Sequence, residues 1–183
     1  MKSTKIRSRA TAVGAVLAVD GLVHLYWATG RTWPVDGTTR LSQLVLNTQV
    51  PFTPQTLVPL AGTLLSGATL VLVQGGRLPA LARRLPAVLP RWASRAVAAG
   101  LLARGTAGLV WVTGAWADPG DTFYWLNLLL YTPLCLLLGR AAWQVSAAGG
   151  AVVGGAVVGG AVAGGAATGG PAADGAATGG TAA

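Results

Sequence analysis

Four long apolar stretches, each near the roughly 20 residues that a helix needs to cross a bilayer's hydrocarbon core, leave this chain little choice of architecture. They cover residues 10–29, 56–73, 94–113 and 123–143. Inside lipid every backbone N–H and C=O must be satisfied within its own segment or a closed sheet, so runs of this length read as helices. The expected fold class is an all-α integral membrane bundle of four transmembrane helices. Composition agrees: 52% of residues are hydrophobic and only 10% charged, against about 25% charged in soluble domains. Residues 1–9 form a basic N-terminal segment, 10–145 the membrane domain and 146–183 a flexible, low-complexity Gly/Ala/Val tail.

The first stretch follows Lys2, Lys5, Arg7 and Arg9 and must be weighed against a secretory signal, with Val16-Leu17-Ala18 as its cleavage site. The apolar run resumes after Asp20 and ends in Tyr26-Trp27, an interfacial anchor, which favours a retained helix. The formal net charge of +8 is spread between the apolar runs, which points to an anionic lipid surface and not to nucleic acid. Lys2, Lys5, Arg7, Arg9, Arg77, Arg83, Arg84, Arg91, Arg95 and Arg140 lie on one side, ten cations, and only Arg31 and Arg40 on the other. Cation-rich loops stay inside, so both termini are expected in the cytoplasm of a cell that holds this protein in its plasma membrane. Trp27, Trp33, Trp111, Trp116 and Trp125 would then gather at the outer interface, and Trp92 and Trp143 at the inner one.

In the outer loop, Leu41, Leu44, Val45 and Thr48 recur at helical spacing before Pro51 and Pro54, so the segment is either a short helix on the bilayer surface or irregular. The inner loop, with Pro79, Pro86 and Pro90 among its arginines, reads as a lipid-hugging connector. From Gly149 the chain repeats in pentads, GGAVV, GGAVV, GGAVA, GGAAT, GGPAA, DGAAT and GGTAA. Paired glycines oppose both helix and packed sheet, which makes a flexible tail the expectation.

Several short motifs carry a resemblance. His24-Leu25-Tyr26-Trp27-Ala28-Thr29-Gly30, the Pro51-Phe52-Thr53-Pro54 turn, Arg104-Gly105 and Tyr131-Thr132-Pro133-Leu134-Cys135-Leu136 stand in an order and spacing that resemble the bacterial membrane family called domain of unknown function 3995, over Thr11 to Arg140. The resemblance implies a four-helix membrane protein and supplies no mechanism. It also implies that an acidic residue often stands four before the Tyr; here that place is Asn127, so a proton-carrying role is not carried over.

Ionisable groups within a span are the strongest functional signal such a sequence offers, since each costs about 2.5 to 3.5 kcal/mol at a helix centre. There are three, Asp20, His24 and Arg104. Asp20 and Arg104 each lie ten residues into helices of the same sense, so an ion pair between them is the expected way to lower both costs. His24 stands one turn from Asp20, with Trp27 continuing the same face. Ala96, Gly100 and Gly108 on the Arg104 face, and Gly14, Ala18 and Gly21 on the first helix, offer small flanks for close helix approach. Tyr131 and Cys135 are one turn apart around Pro133, which removes a helical N–H and favours a kink that could turn the Tyr131 hydroxyl toward His24 or Arg104. Cys135 has no cationic sequence neighbour and reads as a packing residue, and Asn127 as an interhelical amide.

Three function classes follow. The first is a structural or accessory membrane component with an Asp20, His24, Arg104 and Tyr131 polar centre and no turnover, possible also as a homo-oligomer or with a membrane partner. The second binds a small ligand or cofactor between helices; haem through His24 would need a homodimer to supply two histidines, since the chain has one. The third is a proton-coupled carrier subunit. One Cys excludes an intrachain thiol pair, and no catalytic motif or metal-ligand spacing is visible, so an enzyme is the less favoured reading.

Overall fold

A computed structural model describes residues 2–115 and 118–164. They form helices α1 (Lys2–Ala28), α2 (Thr38–Leu46), α3 (Pro54–Gln74), α4 (Pro79–Ala82), α5 (Val88–Val110), α6 (Thr122–Leu126) and α7 (Thr132–Gly164). A π-helical turn, Trp111–Ala115, extends α5, and another, Asn127–Tyr131, joins α6 to α7. Among the described residues there is no strand. Four helical segments are long and apolar enough to cross a membrane, Ser3–Ala28, Pro54–Gln74, Val88–Thr113 and Thr122–Ala148, and they cover the four expected spans except Thr29 at the end of the first.

The described residues up to Gly150 make one compact unit. Its core is a stack of small and branched side chains: Ala10, Val13 and Leu17 from α1, Ala68 and Val71 from α3, Ala98 from α5, and Leu138, Ala142 and Val145 from α7. Close helix approach depends on glycine. A Cβ on Gly14 would come within 2.7 Å of Leu72, and one on Gly21 within 2.9 Å of Leu65, so α3 settles antiparallel into the small flank of α1. A Cβ on Gly105 would meet Leu136 at 2.7 Å and one on Gly139 would meet Leu102 at 2.8 Å, which seats α7 antiparallel on α5.

The end of the bundle that holds the basic residues is tied by its own arginines. The Arg7 guanidinium donates to the Gly76 carbonyl at 3.3 Å, and Arg77 Nε donates back to the Arg7 carbonyl at 3.4 Å. The opposite end carries aromatic anchors. Trp27 Nε1 donates to the Trp33 carbonyl and Trp125 Nε1 to the Pro119 carbonyl, both at 3.0 Å. Trp116 lies outside the described residues.

The segment left open between helix and irregular loop is the helix α2. It stops at Asn47, whose φ of 55° is left-handed, and not at the prolines that follow. Ser42 locks this turn by donating to the Thr48 carbonyl and accepting from the Val50 N–H at 2.8 Å. Leu41 and Ser42 are buried, and α2 packs on α6, so the helix is part of the protein's own aromatic end and not merely laid on a bilayer.

The Pro133 expectation takes a specific form. Pro133 has no N–H, and its ring crowds the carbonyl four residues back, Leu129. The turn Asn127–Tyr131 relieves this by widening to a π-helix, a usual way to absorb a break in the α-helical ladder. At the other end, α7 continues to Gly164, through the first three pentads. The pentads from residue 165 lie outside the described residues.

Candidate functional site

Three core stripes change chemistry half-way along the bundle. On α1 the spacing that buries Ala10, Val13 and Leu17 continues as Asp20, His24 and Trp27. On α7 the stripe Val145, Ala142, Leu138 continues toward the aromatic end as Cys135 and Tyr131, and then Asn127. On α5, Val97 and Leu101 pack against the core, and Arg104, Gly108 and Trp111 carry that face onward. Residues three and four apart on a helix share a face, so the apolar core of the basic half is succeeded by polar and aromatic groups in the other half.

Arg104 is the centre of the most connected group. It stands nine residues before Thr113, hence about 14 Å along the helix from that end at a rise of about 1.5 Å per residue. Its Nη1 donates to Asn127 Oδ1 at 3.1 Å. Asn127 is fully buried and uses its other end as well, with Nδ2 donating to the Gly108 carbonyl at 2.9 Å. Thr132 Oγ1 adds a longer contact to Asn127 Oδ1 at 3.4 Å. The missing side chain of Gly108 makes this possible, because a Cβ there would collide with Thr132 and stand 3.1 Å from Asn127 Oδ1. Two rings complete the surroundings: the guanidinium carbon lies 4.7 Å from the Trp111 ring centre and 5.7 Å from that of Tyr131.

The expected Asp20–Arg104 ion pair is not formed, and a buried Asp20, His24 and Arg104 centre is not supported. Among the described residues the ion-pair contact is between His24 Nδ1 and Asp20 Oδ1, 3.3 Å, and the Asp20 side chain is 50% exposed. The reason is lateral. Equal depth aligns the two residues along the bundle axis, but α3 packs against both α1 and α5, and the residue that crosses to Arg104 comes from the π-helical turn before α7.

A family model described as "Protein of unknown function (DUF3995)" matches residues 17–142, from the middle of α1 to α7. The chain belongs to this family. No curated protein and no solved structure matches it. The matched region contains both polar groups, that of Arg104 and that of Asp20 and His24.

In this DUF3995 member, His24 is held by its own helix. Its Nδ1 lies 2.8 Å from the Asp20 carbonyl oxygen, which can only accept, so Nδ1 carries the hydrogen and Nε2 is the free ring nitrogen. The ring is only 12% exposed and meets Trp27 edge-on with centres 5.2 Å apart, while Trp27 leans on Phe52 at 5.8 Å. This pins the Pro51-Phe52-Thr53-Pro54 turn to the end of α1. The Tyr131 ring stands beside Arg104, its centre 5.7 Å from the guanidinium carbon. Cys135, half-buried and a free thiol, stands one turn deeper than Tyr131. Among the described residues, no group of three His, Cys, Asp or Glu could hold a metal ion.

Sequence reading places Trp111 only in an interfacial belt and passes over Thr132 and the Gly108 carbonyl. Trp111 did carry a signal, since it stands seven residues from Arg104 and thus on the same face. The Gly108 carbonyl carried none, because any backbone oxygen in α5 reads alike until the partner helix is placed.

The small stripe of α5 divides in two. Gly105 and Gly108 are filled by α7, as described, whereas Gly100 has nothing within 4 Å of where a Cβ would be. Ala96 and Gly100 line an open apolar groove of about 680 Å³ with Gly62, Ser66 and Leu70 of α3.

Proposed function

We propose that this protein is a structural or accessory component of a cell membrane, a four-pass bundle whose work is to hold helices, its own and those of membrane partners, in a defined arrangement. The observation that carries this reading is the Asn127 amide. It bridges the Arg104 guanidinium and the Gly108 carbonyl, and so spends the costliest residue of α5 on a contact to the fourth span. Polar contacts of this kind select which helices touch, because in lipid an unmatched polar group has no water to fall back on.

The ten-to-two division of cations supports an orientation with both termini in the cytoplasm and the basic end against anionic lipid. Reporter fusions after Arg40 are expected to read outside and those after Pro86 inside. A cytoplasmic signal at Arg40 reverses the orientation.

The clamp itself is tested by thermal unfolding of the purified chain in detergent. Arg104→Gln and Asn127→Ala are each expected to cost about 1.5 to 3 kcal/mol, as for hydrogen bonds to a charged group. The double variant should cost at least about 0.5 kcal/mol less than the sum, the signature of residues in direct contact. Strictly additive effects would remove the clamp as the basis of the reading.

A further inference from the structure

We propose that Arg104 anchors a binding site for an oxyanion, a carboxylate or phosphate group that enters the aromatic half of the bundle and lies along the free edge of the guanidinium. The inference takes from the clamp only the place where Arg104 is held, and adds a ligand that the clamp does not need.

The argument is one of unmatched donors. A guanidinium has five N–H groups and a charge that does not titrate away in a protein. Here Asn127 accepts one hydrogen from Nη1. Among the described residues no carboxylate stands within ion-pair distance of Arg104, since the acidic residue nearest in expectation, Asp20, is engaged with His24. The other close groups are the rings of Trp111 and Tyr131, which offer π-faces to the cation, and the Cys135 thiol, a weak acceptor; none of them is an anion.

The remaining donors are not sealed in. Among the described residues the fully enclosed side-chain nitrogen without a partner is Arg95 Nε, not any atom of Arg104. Arg104 is half-buried, as are Tyr131 and Cys135. Its Nε–H and Nη2–H form a two-pronged edge, and the acceptor that fits such an edge is a planar or tetrahedral group with two oxygens about as far apart. A neutral carbonyl would meet one prong and leave the charge uncompensated; an oxyanion meets both and neutralises it in a low-dielectric setting, where a charge-assisted bond is strongest. The Trp111 and Tyr131 rings beside the guanidinium restrict its movement before the ligand arrives.

The oxyanion could belong to a small solute or to a lipid headgroup, and the same measurement separates the two. Trp111 against Arg104 is a built-in fluorescent reporter. The full chain in an uncharged detergent is titrated with inorganic phosphate and with acetate, chloride being exchanged to hold ionic strength constant. In parallel it is placed in bilayers of phosphatidylcholine with increasing phosphatidylglycerol. A saturable change of tryptophan emission is expected with a free anion if the source is a solute, or with phosphatidylglycerol alone if it is lipid.

Arg104→Gln should weaken the apparent affinity at least tenfold. Arg104→Lys, which keeps the charge and loses the fork, should weaken it severalfold and serves where the Gln variant does not fold. Trp111→Phe should abolish the signal, while Trp143→Phe should leave it. Emission that does not saturate in either arm, or a saturable response that both Arg104 variants retain in full, overturns the site. Loss of thermal stability in Arg104→Gln without any anion response leaves the clamp standing and refutes the ligand.

Discussion

The basic half and the aromatic half of this bundle are built on the same helical stripes and solve different problems. In the basic half the stripes are Ala10, Val13, Leu17, Ala98, Leu138, Ala142 and Val145, and the helices are held by shape. Lipid tails are as apolar as these side chains, so nothing expels them from the surroundings; what holds them is dispersion between surfaces that glycine and alanine let come close. In the aromatic half the same spacing yields Asp20, His24, Arg104, Tyr131 and Asn127, and α5 is held to the fourth span by directed bonds. The lesson is a division of labour along one axis: a shape-packed base whose buried stripes tolerate little change of volume, and a polar half whose groups retain exposure and unmatched donors.

The sharpest break of that contrast is Gly108→Val. The position lies where the two modes meet, with Thr132 packed against the glycine and Asn127 bonded to its carbonyl. A branched side chain would push the π-helical turn away from α5 and separate Asn127 from both of its partners. The expected loss, overpacking of about 1 to 3 kcal/mol together with the broken amide bridge, is the largest of any single change considered. It is read as a fall in the thermal midpoint in detergent. A midpoint within a degree of the parent would mean that α5 and the fourth span are not in contact there.

Next in size is Leu138→Ala in the shape-packed half. Leu138 is 8% exposed within the core, and its truncation leaves a void between α7 and its neighbours. Loss of a buried Leu side chain costs about 2 to 5 kcal/mol in water-soluble cores; without the hydrophobic term only the packing part remains, so about 2 kcal/mol is expected here. The diagnostic feature is specificity: the Leu138 variant should unfold earlier but keep any anion response at Arg104. Loss of both would show the two halves to be coupled more tightly than their chemistry suggests.

How far all this was legible beforehand depends on which interactions are local. The four spans follow from run length and composition, and their depth from residue count, so α1, α3, α5 and the fourth span are readable from the chain alone. The His24 contacts are also local, because Asp20 and Trp27 lie within one turn of it. Lateral neighbourhood is another matter. Asp20 and Arg104 share a depth, yet depth says nothing about which helices are adjacent, and the ion pair inferred from it is not there. Pro133 signalled a disturbance but not its form, a π-helical turn that swings Asn127 onto α5. The amide was thus assigned its chemistry correctly, as an interhelical hydrogen bonder, without a means to name its partners.

The smallest expected effect is the most informative about what surrounds the molecule. Gly100 lies on the same small stripe as Gly108, but opens on the groove with Gly62 and Ser66 and meets nothing within 4 Å. In the isolated chain Gly100→Ala should therefore be harmless, and the helix preference of Ala over Gly, about 1 kcal/mol at most, can only raise the thermal midpoint in detergent. Gly100→Leu should be similarly silent, since the groove has room for the larger side chain. The open and the filled parts of the α5 stripe are then contrasted by one pair of variants: the leucine is tolerated at Gly100 and not at Gly105, where Leu136 already fills the space. A leucine at Gly100 that destabilises the protein in bilayers, while leaving it intact in detergent, would show that a neighbouring helix lies in the groove in the membrane, and the shape-packed half would then extend beyond the single chain.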